Sequence, residues 1–442
     1  MPAPLPVSTD EALPARTGVV VVGGGIVGAA TALELAERGV DVVLCEKGEF
    51  GAEQSGRNWG WCRQVGRDPR EIPLILESLK AWRGMNARVE AETGFRQSGI
   101  VYLLATDGEL TNRMRWYENN AKPFGLNVHP LAGTEAEALV PGARVKWHGA
   151  LFSPDDGRAE PHMAVAAIAA AARRRGARLL KPCAVRGIET AAGRVSGVVT
   201  ERGPIACDAV VVAAGAWSRL FLGNAGVDFP QLAVVNSVMR TAPLDAGHEH
   251  SASGMKFAFR KRLDGGYTVS HRHLSVADIV PESFSQFFRF LPVLLTDRKG
   301  LRLRLGGRFF EAVRLKRRWA MDEVTPFEDV RILDPEPVAA ILAEAEASLK
   351  QTFPAFAGLE IVERWAGCID ATPDAVPVIS AIESRPGLYL ASGFSGHGFG
   401  LGPGAGRLMA DLVTGRPPVV DPRPYRYGRY FDGTRPRPTT GL

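Results

Sequence analysis

The spacing of apolar residues changes character several times along the chain. Gly18 to Val22 is a short β-branched run that reads as a buried strand. Gly23 to Gly28 is glycine-rich, and Ile26 to Arg38 places apolar residues at helical spacing among good helix formers. Val40 to Cys45, directly after Gly39, is a second apolar strand. Strand, glycine turn, helix and strand in this order make a βαβ unit with a short crossover. From Gly48 to Gly66 the periodicity is lost and Gly, Ser, Arg and Trp accumulate. A loop of that length in a compact domain is commonly a binding loop.

Further on, Ile72, Ile75, Leu76, Leu79 and Trp82 mark one face of a helix within Pro69 to Glu92, and Ile100 to Leu104 reads as a strand. A helix is predicted from Pro161 to Arg175, opened by proline and closed by Gly176. Short strands follow near 177–182, 185–189 and 195–200, and Ala209 to Ala213 is the continuous apolar run of a parallel strand covered on both faces. Between about Val227 and Leu359 the pattern becomes hairpin-like, as at Phe257 to Arg260 and Tyr267 to Ser270 around Asp264-Gly265-Gly266, with a helix near Pro337 to Gln351. Strand signals return at Ile361 to Trp365, Val376 to Ile379 and Leu388 to Ala391, before a last helix from about Gly400 to Val413.

The expected class is α/β with two domains. Segments 17–95, 150–226 and 360–442 form a discontinuous nucleotide-binding domain with a parallel central sheet, and 96–149 and 227–359 form an α+β substrate domain with a mainly antiparallel sheet. Residues 1–16 carry Pro2, Pro4, Pro6 and Pro14 without an apolar core, and are expected to be a disordered lead-in.

Composition narrows the class only a little. A length of 442 residues suits two compact units, and 45% hydrophobic with 23% charged residues excludes a disordered or fibrous chain. The net charge of +5 comes from 53 basic against 48 acidic residues, too thin an excess to expect nucleic acid as a partner. Cys45, Cys62, Cys183, Cys207 and Cys368 form no CxxC or Cys/His cluster, so neither a metal site nor a disulfide framework is expected. A reducing compartment fits, and no run of about 18 apolar residues suggests a membrane span, so the expected location is cytoplasmic. Nothing in the sequence reports the oligomeric state.

The candidate chemistry begins at Gly23-Gly24-Gly25-Ile26-Val27-Gly28, which fits GxGxxG. Such glycines permit the tight turn, the approach of the backbone to a pyrophosphate, and the packing of helix on strand. The motif follows a strand and opens a helix, and Glu46, with Lys47 beside it, ends the second strand about 20 residues on, where an acid accepts hydrogen bonds from ribose hydroxyls. The fingerprint does not separate NAD from FAD; two further stretches favour FAD. Gln54-Ser55-Gly56-Arg57-Asn58 is a polar loop suited to more pyrophosphate contacts. Gly393-Phe394-Ser395-Gly396-His397-Gly398-Phe399-Gly400 leads into a helix whose positive N-terminus stabilises the anion of a reduced flavin.

With these motifs, the Ala213-Ala214-Gly215-Ala216-Trp217-Ser218 strand end and Trp365-Ala366-Gly367 followed by Thr372-Pro373-Asp374, the chain resembles the FAD-dependent amine and amino acid oxidoreductases. That family holds D-amino acid oxidase, glycine oxidase, D-amino acid dehydrogenase and sarcosine oxidase. The resemblance covers nearly the whole chain. Asp155-Asp156-Gly157-Arg158-Ala159-Glu160-Pro161 and the C-terminal glycine loop look most like the sarcosine oxidase beta subunit and opine oxidase type. It implies a glutathione-reductase-like FAD domain, hydride removal from the carbon next to an amine nitrogen, Val185 near the adenine, Ala214, Gly215 and Trp217 beside the cofactor, and the loop from Gly396 to Gly400 along the flavin. Glycine and D-amino acid oxidases carry a carboxylate-gripping arginine after Trp-Ala-Gly; here Ile369 and Asp370 stand there. That departure points toward an N-substituted amino acid, with a D-amino acid as the alternative. Cys368 is one position from where some sarcosine oxidases bind flavin covalently, so a non-covalent FAD is expected.

For the substrate end, Arg260, Arg262 and Arg272 lie on the hairpin that the family lays over the flavin, and arginine is the expected carboxylate donor. Alternation puts Tyr267, Val269 and His271 on one face and Thr268, Ser270 and Arg272 on the other, one of which should line the site. His397 is expected next to the cofactor, and Trp59 and Trp61 are candidates for a pocket wall. Phe284 to Leu295 is apolar and Arg298 to Arg318 basic; Pro292 favours a buried helix, with peripheral contact at the inner membrane face as the alternative. Oxygen or a quinone is the expected electron acceptor. A nicotinamide-dependent flavoprotein lacks its second fingerprint here, and an FAD-bound subunit without its own catalysis is the non-enzymatic reading.

Overall fold

The computed structural model describes residues 3–296, 298, 300–434 and 436–439. Two large sheets organise them. In the first, of eight strands, Val378–Ala381, Leu388–Ser392, Gly203–Val212, Arg16–Val22, Val42–Cys45 and Arg178–Leu180 lie side by side. From Leu388–Ser392 to Arg178–Leu180 every pairing is parallel, while Val185–Ala191 and Arg194–Thr200 extend Gly203–Val212 as an antiparallel meander. Alternation sends Val19, Val21, Val42 and Leu44 into a core with the helices Ile26–Glu37, Pro161–Arg174 and Gly398–Thr414. It sends Val20, Val22, Val43 and Cys45 into a second core with Leu180, Phe221 and Phe229. Burial on both faces explains the unbroken apolar runs.

The second sheet has ten strands and is mainly antiparallel. Ile361–Ala371 pairs along its length with Leu232–Thr241, and Gly149–Ser153 pairs with Ile100–Leu104. Both strands therefore belong to this sheet, although the sequence pattern assigned them to the nucleotide-binding domain. Their alternation suits either sheet, and only the partner strand decides. The helix Ala339–Thr352 covers one face, burying Leu342, Ala345 and Leu349 with Phe257, Phe259, Tyr267 and Val269. Residues of opposite parity, Tyr102, Asn236 and Ser253, reach a cavity shared with the first sheet.

Two segments depart from expectation. The lead-in is held against the first domain: Val7 is buried, the Leu5 and Asp10 N–H groups donate to the His162 and Leu179 carbonyls, and the Asp10 carboxylate accepts from Arg173 and the Leu179 N–H. Its prolines suit an extended strap that needs few donors. The apolar stretch forms the helices Pro281–Ser285 and Phe287–Thr296, the second running through Pro292. It is not a buried helix. Phe290 and Val293 are covered, but Phe284, Phe288 and Leu295 are exposed.

The hairpin strand Phe257–Lys261 is tied to the start of the Pro161–Arg174 helix by a buried ion pair. Arg260 donates from both terminal nitrogens to the two Glu160 oxygens at 2.8 and 2.9 Å, and each side chain is 1% exposed. Burial works to raise the Glu160 carboxyl, but Arg260 and Arg262 outweigh it and hold it at about 2. Removing one partner leaves an uncompensated buried charge. Arg260→Ala is therefore expected to cost about 3–5 kcal/mol in urea unfolding; a loss below about 1 kcal/mol would show a solvent-screened pair.

Candidate active site

The strand Arg16–Val22 runs into Gly23 at φ +107°, and the first helix begins three residues later. A Cβ on Gly28 would lie 1.9 Å from the Gly23 carbonyl oxygen, and one on Gly23 2.5 Å from the Ala213 carbonyl oxygen. Only glycines let helix and strands approach so closely. Gly28 is therefore a packing residue outside the cavity, whereas Gly23, Gly25, Ile26 and Val27 line it. Ser55 Oγ accepts the Ile26 N–H at 2.9 Å and fixes the turn to the polar loop. The Glu46 carboxylate accepts the Gly24 and Gly48 N–H groups, both at 2.7 Å, and burial pushes it up to about 7.

The cavity occupies about 540 Å³. At one end Glu46, Lys47, Val185, Ala214, Gly215 and Trp217 line it, as the resemblance implies. Lys47 Nζ sits 4.7 Å from the Trp217 ring centre and pairs with Glu53 at 2.6 Å. Gln54, Ser55, Arg57 and Asn58 form the middle of the wall. Arg57 is committed to structure: it pairs with Asp334 and donates to the Ala366 and Ala52 carbonyls, so it is not free to grip a substrate. Asn58 holds its own loop, accepting the Gly60 N–H at 2.7 Å.

The C-terminal loop turns sharply, with positive φ at Gly393, Ser395 and Gly396, and the helix starts at Gly398. Gly396, His397, Gly398, Phe399 and Gly400 all line the cavity. His397 is buried with Nδ1 3.0 Å from Glu71 Oε2; burial pushes it down to about 4, leaving a neutral imidazole at pH 7. A glycine cradle, a half-buried acid at the end of the second strand and two helix N-termini on one cavity fit FAD.

The far end is built by both sheets. Trp59 and Trp61 stand edge to face at 5.4 Å, and Trp59 Nε1 donates to Asn236 Oδ1 at 3.2 Å. Arg272 lines this end with Nη1 on Glu109 at 2.8 Å, while its Nε and the Tyr102 hydroxyl are buried without a protein partner. The other expected catalytic residues are elsewhere. Arg260 belongs to the ion pair with Glu160, and Arg262 pairs with Asp264. Tyr267 packs in the helix-covered core with its hydroxyl donating to the His248 carbonyl, and His271 lies near Glu344 of that helix. The alternation left open which face lines the site: the Tyr267 face meets the helix, which no local pattern reports, and Arg272 of the other face lines the cavity. Cys368 lines the cavity, but burial pushes its thiol up to about 11, far from a reactive thiolate.

Sequence reasoning missed Tyr102, Arg63, Arg67 and Arg113, which also line this end. Arg63 sits in the aperiodic loop already read as a binding loop. Arg67 follows it, and Arg113 is an ordinary residue of the helix Asp107–Trp116 that carries no signal.

These elements define a dinucleotide-binding fold with a second, mainly antiparallel sheet beside it. Residues 18–412 match the FAD dependent oxidoreductase family, and the chain belongs to it. It is 27% identical to a glycine oxidase of Pseudomonas putida over 92% of this chain and 97% of that protein. It is 26% identical to the 4-methylaminobutanoate oxidase (formaldehyde-forming) of Paenarthrobacter nicotinovorans over 94% of this chain and 46% of that one. Among solved structures, the L-amino acid deaminase from Proteus myxofaciens in complex with anthranilate superposes with a TM-score of 0.93 at 36% identity, covering 97% of each chain.

Glu46 gives the cofactor end a pH dependence. A carboxyl with its pKa raised to about 7 is ionised above that pH and protonated below it. Ribose hydroxyls donate best to the ionised form, so affinity of the apoprotein for FAD should fall about tenfold from pH 8 to pH 6. Flavin fluorescence titrations measure this; Glu46→Gln should flatten the profile, and a flat wild-type profile would remove Glu46 from the ribose.

Proposed function

We propose that the chain removes a hydride from the α-carbon of an L-α-amino acid, whose amine is free or N-alkylated, giving an imine that water hydrolyses. The observation that carries this reading is the pair of buried, unpartnered donors, Arg272 Nε and Tyr102 Oη, in the same cavity as the flavin loop. A substrate carboxylate satisfies both. The likeness to an L-amino acid deaminase supports the L configuration. The carboxylate grip absent at Ile369 and Asp370 is supplied by Tyr102, on another strand of the same sheet, and Arg272, just past one; Asp370 instead accepts the Gly393 N–H at 2.7 Å and braces the flavin loop.

Bound FAD supplies the two-electron acceptor. It is held without a bond to the unreactive Cys368 thiol, by the cradle from Gly23 to Val27, by Glu46 and by the Gly396 to Gly400 loop. The remaining work is positioning. Arg272 and Tyr102 fix the carboxylate, Trp59 and Trp61 exclude water, and the guanidinium charges disfavour an ammonium, so the amine gives up its proton and the lone pair that oxidation needs is free.

Anaerobic mixing of the yellow protein with L-, D- and N-methyl amino acids tests this through loss of the flavin absorbance. Bleaching by L or N-methyl L compounds is expected, and Arg272→Ala should raise KM about 10- to 100-fold. Faster bleaching by D compounds would overturn the configuration. A flavin that no amine bleaches would leave a cofactor-bearing subunit.

The exposed stretch supports a quinone at a membrane surface as acceptor. No helix of the described residues is long and apolar enough to cross a membrane. Phe288 is 87% exposed and Leu305 72%, with Arg314 and Arg318 also exposed nearby. Apolar anchors beside basic residues suit an anionic surface. Cosedimentation with phosphatidylglycerol vesicles, but not phosphatidylcholine vesicles, is expected, and Phe288→Asp with Leu305→Asp should abolish it. Absence of binding together with peroxide release in air would point to oxygen.

A further inference from the structure

Three cavity arginines stand without a carboxylate partner among the described residues. Arg63, Arg67 and Arg113 all line the cavity, and none forms an ion pair there, whereas Arg272 has Glu109. Proteins rarely leave guanidinium groups uncompensated in a partly dry pocket, because desolvation of a charge is costly. Arg67 is 1% exposed with Nη1 unpartnered, and Arg113 lies with its guanidinium carbon 5.2 Å from the Tyr102 ring centre. Burial brings both Arg67 and Arg113 down to about 10, and the neighbouring arginines add to it.

The four guanidiniums divide by position. Arg67 sits beside the flavin loop, its Nη2 3.4 Å from where a Cβ on Gly400 would lie, and a cofactor edge accounts for it. Arg272 with Tyr102 holds the substrate α-carboxylate in the reading above. Arg63 and Arg113 remain. Their Nη1 atoms are each 3.1 Å from the place a Gly66 side chain would fill, and Arg63 Nη1 also donates to the Val65 carbonyl, so the two guanidiniums flank one gap that glycine keeps open with Arg63 held in place by the backbone. The acidic groups facing the cluster do not neutralise these two. Glu109 is taken by Arg272, Glu71 lies with the neutral His397 on the Arg67 side and offsets that arginine, and Asp156 is turned to the Gln64 N–H and pushed up to about 7 by burial, so none of them pairs with Arg63 or Arg113.

We propose that Arg63 and Arg113 clamp a second carboxylate, so that the preferred substrate is a dicarboxylic amino acid, with the extra acid on its side chain or on its nitrogen substituent. This rests on the function proposed above for the choice of an amino acid, but the clamp itself is a binding property. Two like guanidiniums across one gap favour an anion and reject the neutral isostere, whose amide cannot neutralise them.

Binding and turnover separate the two claims. The holoenzyme is titrated with glutarate and with its monoamide, following the shift of the flavin absorption bands. Glutarate is expected to bind at least tenfold tighter, and in Arg63→Gln and in Arg113→Gln, each checked for retained flavin, the two ligands should bind within about twofold of each other. Equal affinities in the wild type, or a preference that survives both substitutions, would overturn the clamp. Anaerobic bleaching then compares L-glutamate with L-glutamine and N-carboxymethyl-L-alanine with its monoamide. The pair in which the acid reacts at least tenfold faster places the second carboxylate on the side chain or on the nitrogen. No bleaching by any of the four, with glutarate preference intact, would retain the clamp and sink the proposed oxidation.

Discussion

The structure hangs on how closely the last helix approaches the first. A Cβ on Gly402 would lie 2.5 Å from the Ile26 side chain, and one on Gly406 2.6 Å from Ala30. Residues four apart on Gly398–Thr414 thus meet residues four apart on Ile26–Glu37, backbone nearly against backbone. The next row turns the other way: Gly404 is closed by the Leu74 carbonyl and Ser78, whose hydroxyl also donates to the Gly400 carbonyl at 2.6 Å. Every glycine in this helix costs propensity relative to alanine, about 1 kcal/mol each. The return is geometric. Two helices from opposite ends of the chain are locked so that both N-termini open onto one cavity, where their dipoles favour an anionic cofactor.

That arrangement explains what a sequence could and could not disclose. The Gly23 to Gly28 fingerprint, Glu46 and the Gly393 to Gly400 loop are local: each needs particular residues at fixed offsets because backbone comes within van der Waals reach of backbone or ligand. The strand pattern was equally plain wherever a strand is buried on both faces. Partner choice was not legible. Ile361–Ala371 has the alternation of a strand in either sheet, and its pairing with Leu232–Thr241 depends on residues more than a hundred positions away. The hairpin shows the same limit at a finer scale. Tyr267 and His271 share a face, as spacing requires, but that face is dry because the Ala339–Thr352 helix lies on it. Helix placement, not strand chemistry, turned two expected catalytic side chains into core.

The substrate end was least legible because its members come from unrelated local structures. Tyr102 is on a strand, Arg113 on a helix, Arg63 in a loop and Arg272 just past a hairpin strand. An arginine on any of these is ordinarily solvated, and no spacing rule joins them. What marks Arg63 and Arg113 in three dimensions is the lack of a carboxylate partner among the described residues, and what marks Arg272 and Tyr102 is a buried donor without an acceptor. Other buried cations are paired, Arg260 with Glu160 and Arg429 with Asp374 at 3.1 Å, although Arg158 is buried without an ion pair among the described residues. Guanidiniums without a carboxylate partner on one cavity wall support an anionic ligand there.

The same charges shape the chemistry. A site that must deprotonate an amine before oxidising it gains from fixed positive charge close to the nitrogen, since a like charge disfavours the ammonium form. Carboxylate groups near that position would do the reverse. The acids around the cavity are engaged away from the substrate end: Glu109 is paired with Arg272, Glu71 bonds to His397, and Asp370 accepts the Gly393 N–H. His397, neutral and buried, carries no charge that could oppose either cofactor or amine. On the function proposed, binding energy for the carboxylate and the bias toward a free amine come from one set of side chains, and no dedicated base is needed.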